Sequence, residues 1–258
     1  GGGTWSEVRA GAGRVAAGGG RMTGRPVRGR HQLSAQVALV GGGQSPSPGG
    51  VSRAHNGVLF RDGLPEFGRG VLEVLRQPLE ERRVVVSRAR YSVEYPANFI
   101  LVAAMNPCPC GYYNHPAREC VCSPGTVHRY MGRISGPLMD RIDLHVEVTP
   151  VTPAELAAAA PGEPSAAIRE RVVRARGLQA ERLRNLPGVH TNAMMNSAML
   201  AEYCRLDAAS AALLERAMER LALLARAYAF LLRVQRSIAD QAGRRRFGDS
   251  GAHQVPAT

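Results

Sequence analysis

The chain has 258 residues, 33 of them basic and 21 acidic, for a formal net charge of +12. Every basic residue is arginine; lysine does not occur. That excludes a Schiff-base lysine, a lysine general base and a complete phosphate-binding loop of the form G-x-x-x-x-G-K-[ST].

A hydrophobic content of 45% is ordinary for a globular protein, and the length suits one large or two small domains. The longest apolar stretch, Leu221 to Leu232, is interrupted by Arg226 and is too short to span a bilayer. No charged-then-apolar leader pattern opens the chain. The expectation is a soluble, cytoplasmic protein with no membrane partner. The basic excess suits a polyanionic partner such as DNA, RNA or nucleotide, or it is a by-product of a composition rich in arginine, alanine and glycine.

Residues 1–24 are Gly-rich and lack hydrophobic periodicity, so they read as loop. Leu39-Val40 runs into a second Gly, Ser and Pro-rich loop. Gly57-Val58-Leu59-Phe60 reads as a buried strand. Apolar residues from Leu64 to Leu79 predict one helix ending around Pro78. Arg83–Val86 and Tyr91–Tyr95 read as a hairpin, and Phe99–Met105 as a second buried strand. Leu144-His145-Val146-Glu147-Val148 alternates and predicts a third strand. Strands separated by helical segments imply a parallel sheet with crossover helices. Thr149–Pro164 reads as linker. Beyond it lie four predicted helices, over 166–184, 194–204, 208–221 and 225–242, followed by a basic, polar tail over 244–258. The expected organisation is therefore an α/β piece followed by an all-α piece.

Several residues carry candidate chemistry. Asp62 ends an apolar strand, where ligands bind in open α/β sheets and where P-loop proteins hold Mg²⁺. The alternative is a strand-end Asp capping the next helix. Asn106 also ends an apolar strand; it orients a water near a γ-phosphate, or it is a turn residue before Pro107. Arg141 suits a finger onto a neighbour's phosphate, or a surface ion pair. Cys108, Cys110, Cys120 and Cys122 form C-x-C-x₉-C-x-C. Four thiolates in two close pairs can complete a tetrahedral Zn²⁺ site; the alternative is reduced loop cysteines. Cys204 stands alone on a helix and reads as core. The hairpin carries Arg82, Arg83, Arg88 and Arg90 beside Tyr91 and Tyr95, a pattern that suits nucleic acid or a solvated surface.

Together these segments resemble a known family. His55-Asn-Gly-Val-Leu-Phe-Arg-Asp-Gly-Leu-Pro-Glu-Phe67 is similar to the Walker B segment of the magnesium-chelatase-like AAA+ ATPases, in particular their ComM/YifB branch. So are Leu75–Glu81, Ala104–Gly111 and Ser135–Leu144. Thr191–Met194, Ala225–Tyr228 and Arg233–Asp240 resemble that family's C-terminal helical domain. The similarity runs from about Gly18 to Gly243.

The resemblance implies a partial P-loop AAA+ core, a parallel sheet with flanking helices, followed by an all-α lid. It implies the following parts: a loop-rich distal part of the first half of the core over 1–54; the core with its motifs over 55–149; a linker and helix over 150–187; the lid over 188–243; and the tail over 244–258. It implies ATP and Mg²⁺ as cofactors. Asp62 corresponds to the Mg²⁺ aspartate, Asn106 to sensor 1, Arg141 to the arginine finger and Arg226 to the sensor 2 arginine. Family members form homo-hexameric rings, hydrolyse ATP and, in the ComM case, drive branch migration of single- or branched DNA in competence, a helicase-like activity. The hairpin arginines would face the pore of the ring.

Three departures qualify this. The P-loop segment has no counterpart, so the chain is expected to be the distal part of a longer protein. Gly63 stands where the family has its catalytic glutamate, and Arg61 where it has an apolar residue. ATP hydrolysis by this chain alone is therefore expected to be impaired. Two other readings are a magnesium chelatase subunit acting in tetrapyrrole synthesis, and a non-enzymatic, zinc-stabilised module that binds DNA or docks into rings.

Overall fold

The computed structural model describes residues 25–29, 36–42, 47–88, 91–220 and 225–244. The chain divides into two compact units, Gly1–Pro150 and Val151–Thr258.

The first unit is built on a three-stranded parallel sheet. Its strands are β1 (Val27–Gly29), β4 (Val58–Arg61) and β7 (Ile100–Ala103), with β4 in the centre. The register pairs Val58 with Ile100 and Arg61 with Ala103. Between β1 and β4 come α1 (Gln36–Val40), a small antiparallel pair β2 (Gly41–Gly42) and β3 (Ser47–Pro48), and α2 (Gly50–Arg53). Helices α3 (Arg69–Glu73) and α4 (Arg76–Glu81) lead to the hairpin of β5 (Arg83–Arg88) and β6 (Tyr91–Pro96). After β7 come α5 (Pro124–Met131) and α6 (Gly136–Met139). Each of these two helices is capped by a serine: Ser123 accepts from the Thr126 amide and Ser135 from the Leu138 amide.

The sheet has two unlike faces, because side chains alternate along a strand. Leu59 and Arg61 point to the packed face, where Leu39, Val51, Leu64, Leu72, Leu75 and Leu138 complete the core. Phe60, Ile100 and Val102 point the other way and are exposed, Ile100 by 60% against 1% for Leu59.

Two expectations are corrected. The single helix from Leu64 to Leu79 is instead a 3₁₀ turn (Leu64–Glu66), then α3, then α4. Gly68 is extended at the start of α3, which separates the turn from the helix. Pro78 does not end α4. It lies in the first turn, where a missing N–H leaves no intrahelical bond unmade. The predicted third strand over 144–148 is not a strand. Leu144, Val146 and Val148 are exposed, and among the described residues no strand pairs with that segment. Alternation gives a strand its faces, but only a neighbouring strand gives it a ladder.

The second unit is helical. It contains α7 (Pro153–Ala158), α8 (Ser165–Arg182), a 3₁₀ turn (Asn192–Met194), α9 (Ser197–Tyr203), α10 (Ala208–Arg220) and α11 (Ala225–Gln241). Helix α7 falls inside the stretch read as linker. It is held by a capping box in which Thr152 and Glu155 serve each other. Leu183, Met195, Leu200, Cys204, Leu214 and Leu232 form this unit's core. Cys204 is a core residue as expected, and burial pushes its thiol up to about 11.

The two sheet faces should respond differently to substitution. Leu59→Ala is expected to lower the unfolding free energy by about 2–5 kcal/mol in urea titrations. Ile100→Thr should change it by less than about 0.5 kcal/mol. The same Ile100→Thr should reduce binding of the apolar dye ANS, because it removes part of an exposed apolar patch.

Candidate functional site

The parallel pairing of β4 and β7 places Asp62 and Asn106 just beyond adjacent strand ends. Ala104 N–H donates to the Arg61 carbonyl at 2.8 Å, and Leu64 N–H donates back to the Ala104 carbonyl at 3.0 Å. The turn that follows Asp62 is thereby tied to the segment leading to Asn106. Asp62 is half-buried and Asn106 is exposed. A carboxylate and an amide that both follow adjacent strands at the C-terminal edge of a parallel sheet are of the types that suit a hydrated cation and a polar ligand.

Gly63 adopts a left-handed conformation, with φ of 65°. A Cβ built at this position would lie 3.1 Å from the carboxyl carbon of Glu66. The turn in this chain is therefore shaped around glycine. A glutamate at 63 would need both the backbone and Glu66 to move.

Arg61 is buried on the packed face, only 4% exposed, and its guanidinium lies 5.7 Å from the centre of the Phe67 ring. The aromatic face offsets part of the desolvation of that charge.

Arg141 follows α6 and is held inside the first unit. Its Nη2 lies 2.5 Å from Glu80 Oε1, and its Nη1 donates to the Pro137 carbonyl. Arg83 is also engaged, at 3.2 Å from Glu81 and 2.8 Å from Glu94. Arg82 ends α4 in a left-handed conformation, with φ of 58°. Arg88 lies in β5; Arg90 lies outside the described residues. Arg226 lies in the first turn of α11, in the second unit.

The four cysteines of the C-x-C pairs converge. All four sulfurs lie within 4.8 Å of one another, and all four thiols are free. Cys108 Sγ lies 3.3 Å from Cys110 Sγ and 3.7 Å from Cys120 Sγ, and the last two lie 3.5 Å apart. These separations are far from a disulfide, at about 2.05 Å. They are close to the edge of a tetrahedron with metal–sulfur bonds of 2.3 Å, which is about 3.8 Å. The loop between the pairs is folded by its own side chains: Arg118 donates to the Tyr112 hydroxyl at 2.7 Å and lies over its ring. The thiols are unequal without a metal. The Tyr112 amide, above all, brings Cys110 down to about 6. For Cys120 the Cys122 amide pulls downward, but burial and the Cys110 and Cys108 sulfurs outweigh it and push the thiol up to about 12.

The second unit carries a polar cluster that sequence reasoning did not single out. Asp240 is fully buried and accepts from Arg182 at 2.5 and 2.9 Å, from Asn192 at 2.8 Å and from Arg236 at 3.1 Å. Arg233 donates twice to the Met195 carbonyl. This joins α8, the 3₁₀ turn and α11, so that Thr191–Met194 and Arg233–Asp240 form one structure. The available signal was Arg236 and Asp240 at i, i+4 on a largely apolar helix.

Comparison with known proteins follows this division. A family model described as magnesium chelatase, subunit ChlI, matches residues 6–156, and one for the ChlI C-terminal region matches residues 162–253. The chain belongs to the magnesium chelatase subunit ChlI family. Competence protein ComM of Haemophilus influenzae is 44% identical over 220 residues, which cover 85% of this chain and 42% of ComM. A protein of Escherichia coli named YifB, itself uncharacterized, is 44% identical over 219 residues, 84% of this chain and 42% of its own. An uncharacterized protein of Mycobacterium tuberculosis is 42% identical over 226 residues, 86% of this chain and 44% of its own. This ChlI-family chain thus spans less than half the length of these relatives. Among its described residues, no helix is long and apolar enough to cross a membrane.

The Asp240 cluster has a pH signature. Burial alone would push its carboxyl up, but Arg182 and Asn192 outweigh that and hold it below the usual carboxylate range. A depressed folded-state value means stability that is present above the unfolded value of about 3.9 and is lost as pH falls through the folded one. Asp240→Asn should therefore cost about 3–5 kcal/mol near neutral pH, because it leaves buried guanidinium charge uncompensated. It should also flatten the acid side of a stability–pH profile followed by helical circular dichroism.

Proposed function

We propose that this chain serves an ATP-dependent DNA-remodelling protein of the AAA+ type, and that it carries the Mg²⁺-side and sensor-side residues of the nucleotide site. The observation that carries this reading is the placement of Asp62 and Asn106 beyond adjacent parallel strand ends. In it Asp62 holds Mg²⁺ and Asn106 orients the attacking water. Arg141 acts on the nucleotide of a neighbouring subunit in a ring, where a phosphate takes the place of Glu80. The word competence in the name of ComM, and the arginines of the hairpin, support DNA as the partner.

The chain has no lysine, so it offers no P-loop lysine to the β- and γ-phosphates, and Gly63 offers no carboxylate to the water. The 258-residue chain is therefore predicted to bind Mg-ATP weakly and not to turn it over. A fluorescent-nucleotide titration and a phosphate-release assay check this; turnover in the ordinary AAA+ range of seconds or faster would overturn it. Single-stranded DNA binding should persist without ATP and weaken steeply with salt, and Arg88→Ala with Arg90→Ala should reduce the salt slope by about 2.

The four thiols are proposed to hold a structural zinc ion. Closed Cys₄ coordination leaves no open position, so the ion's role is to fold the loop, not to catalyse. Metal analysis of the purified chain should find about one zinc atom per molecule, falling to near zero in Cys110→Ser/Cys122→Ser.

A further inference from the structure

The thiol cluster lies next to the candidate nucleotide site by chain connectivity on both sides. Cys108 is two residues after Asn106 and is fully buried. Cys122 directly precedes Ser123, the cap of α5. Just past the end of α5, Arg133 donates from Nη1 to the Pro65 carbonyl at 3.1 Å. Pro65 lies in the 3₁₀ turn that follows Asp62 and Gly63. The other side of the turn is held by Leu64 N–H donating to the Ala104 carbonyl, ahead of Asn106. These two restraints on the turn come from the two chain segments that flank the cysteine loop.

We infer that metal bound by the four thiols acts as a buckle. It closes the loop over 106–123 and so fixes, through Arg133, the position of the turn beside Asp62. The inference rests on the zinc reading above and adds a consequence to it. Two thiols from each end of the loop meet at one ion, so the ends cannot separate while it is bound. Without it, no bond to a shared ion joins the loop ends, and α5 is freer to shift relative to β7. Because Arg133 spans from that helix to Pro65, drift of α5 is transmitted to the turn. Tyr130 is buried on α5. Arg133 is a positioning residue here, and Asp62 and Glu66 are the groups positioned.

The test is amide hydrogen exchange on the 258-residue chain, zinc-loaded and after chelation, with zinc measured in the same samples. Chelation should speed exchange of Gly111 and His115 in the loop and also of Leu64, Glu66 and Phe67 in the turn, the latter by roughly tenfold or more. Arg133→Met should keep about one zinc per chain while its turn exchanges fast whether or not zinc is bound. Arg133→Lys, which keeps a donor, should restore part of the zinc response. If zinc binds and the loop responds but the turn does not, the buckle is overturned and the zinc site stands. If the chain as purified and after zinc addition holds well under one atom, the zinc reading falls and the buckle with it. A turn that responds to zinc equally in Arg133→Met also overturns the proposed route.

Discussion

Two backbone hydrogen bonds shape the carboxyl edge of the first unit's sheet: Ala104 to the Arg61 carbonyl, and Leu64 to the Ala104 carbonyl. They extend the β4–β7 ladder one step past its end and then fold the chain back across the neighbouring strand. Everything after Asp62 depends on that crossing. It sets Gly63 in a left-handed conformation, brings Glu66 against it and leaves Pro65 facing Arg133. A parallel sheet positions polar groups only at its carboxyl edge, because its interior strands are needed for packing. The crossing ties the turn after Asp62 to the segment that leads to Asn106 and to the cysteine loop beyond it.

Buried charge is handled in two ways. Arg236 and Asp240 are both almost wholly excluded from water, but they form a network with Arg182 and Asn192, and every donor on that carboxylate comes from a different position in the fold. Such a network favours this arrangement of α8 and α11, since separating them would leave buried charge unpaired. Arg61 lies in the central strand over an aromatic ring. The first unit is thus shaped mainly by apolar packing on one face, and the second by a polar lock inside an apolar bundle.

Much of this was legible in the sequence. The apolar runs before Asp62 and Asn106, the hairpin and the helices α8, α10 and α11 lie where periodicity and length put them, whereas the helix read over 194–204 is a 3₁₀ turn and then the shorter α9. The C-x-C pairs predicted convergence through spacing, and the four sulfurs do converge. The family was legible because motifs such as Thr191–Met194 and Arg233–Asp240 recur as blocks, although why those two blocks belong together was not. Their link is a buried hydrogen bond between residues 192 and 240, and no local pattern encodes a contact over that separation. The broken helix after Leu64 was missed because its apolar spacing survives the break at Gly68; periodicity reports which face is buried, not whether the backbone is continuous. An ion pair was one of the two readings of Arg141, and the structure shows it; its partner Glu80, far back in the chain, was not readable from any local pattern.

The segment Leu144–Val148 keeps the alternation of a strand while no strand among the described residues pairs with it. Apolar side chains this exposed add little to the stability of the fold, so a polar residue at 144, 146 or 148 should cost this chain little. An alternating segment with its backbone outside any described ladder is, in physical terms, an edge that another strand could extend.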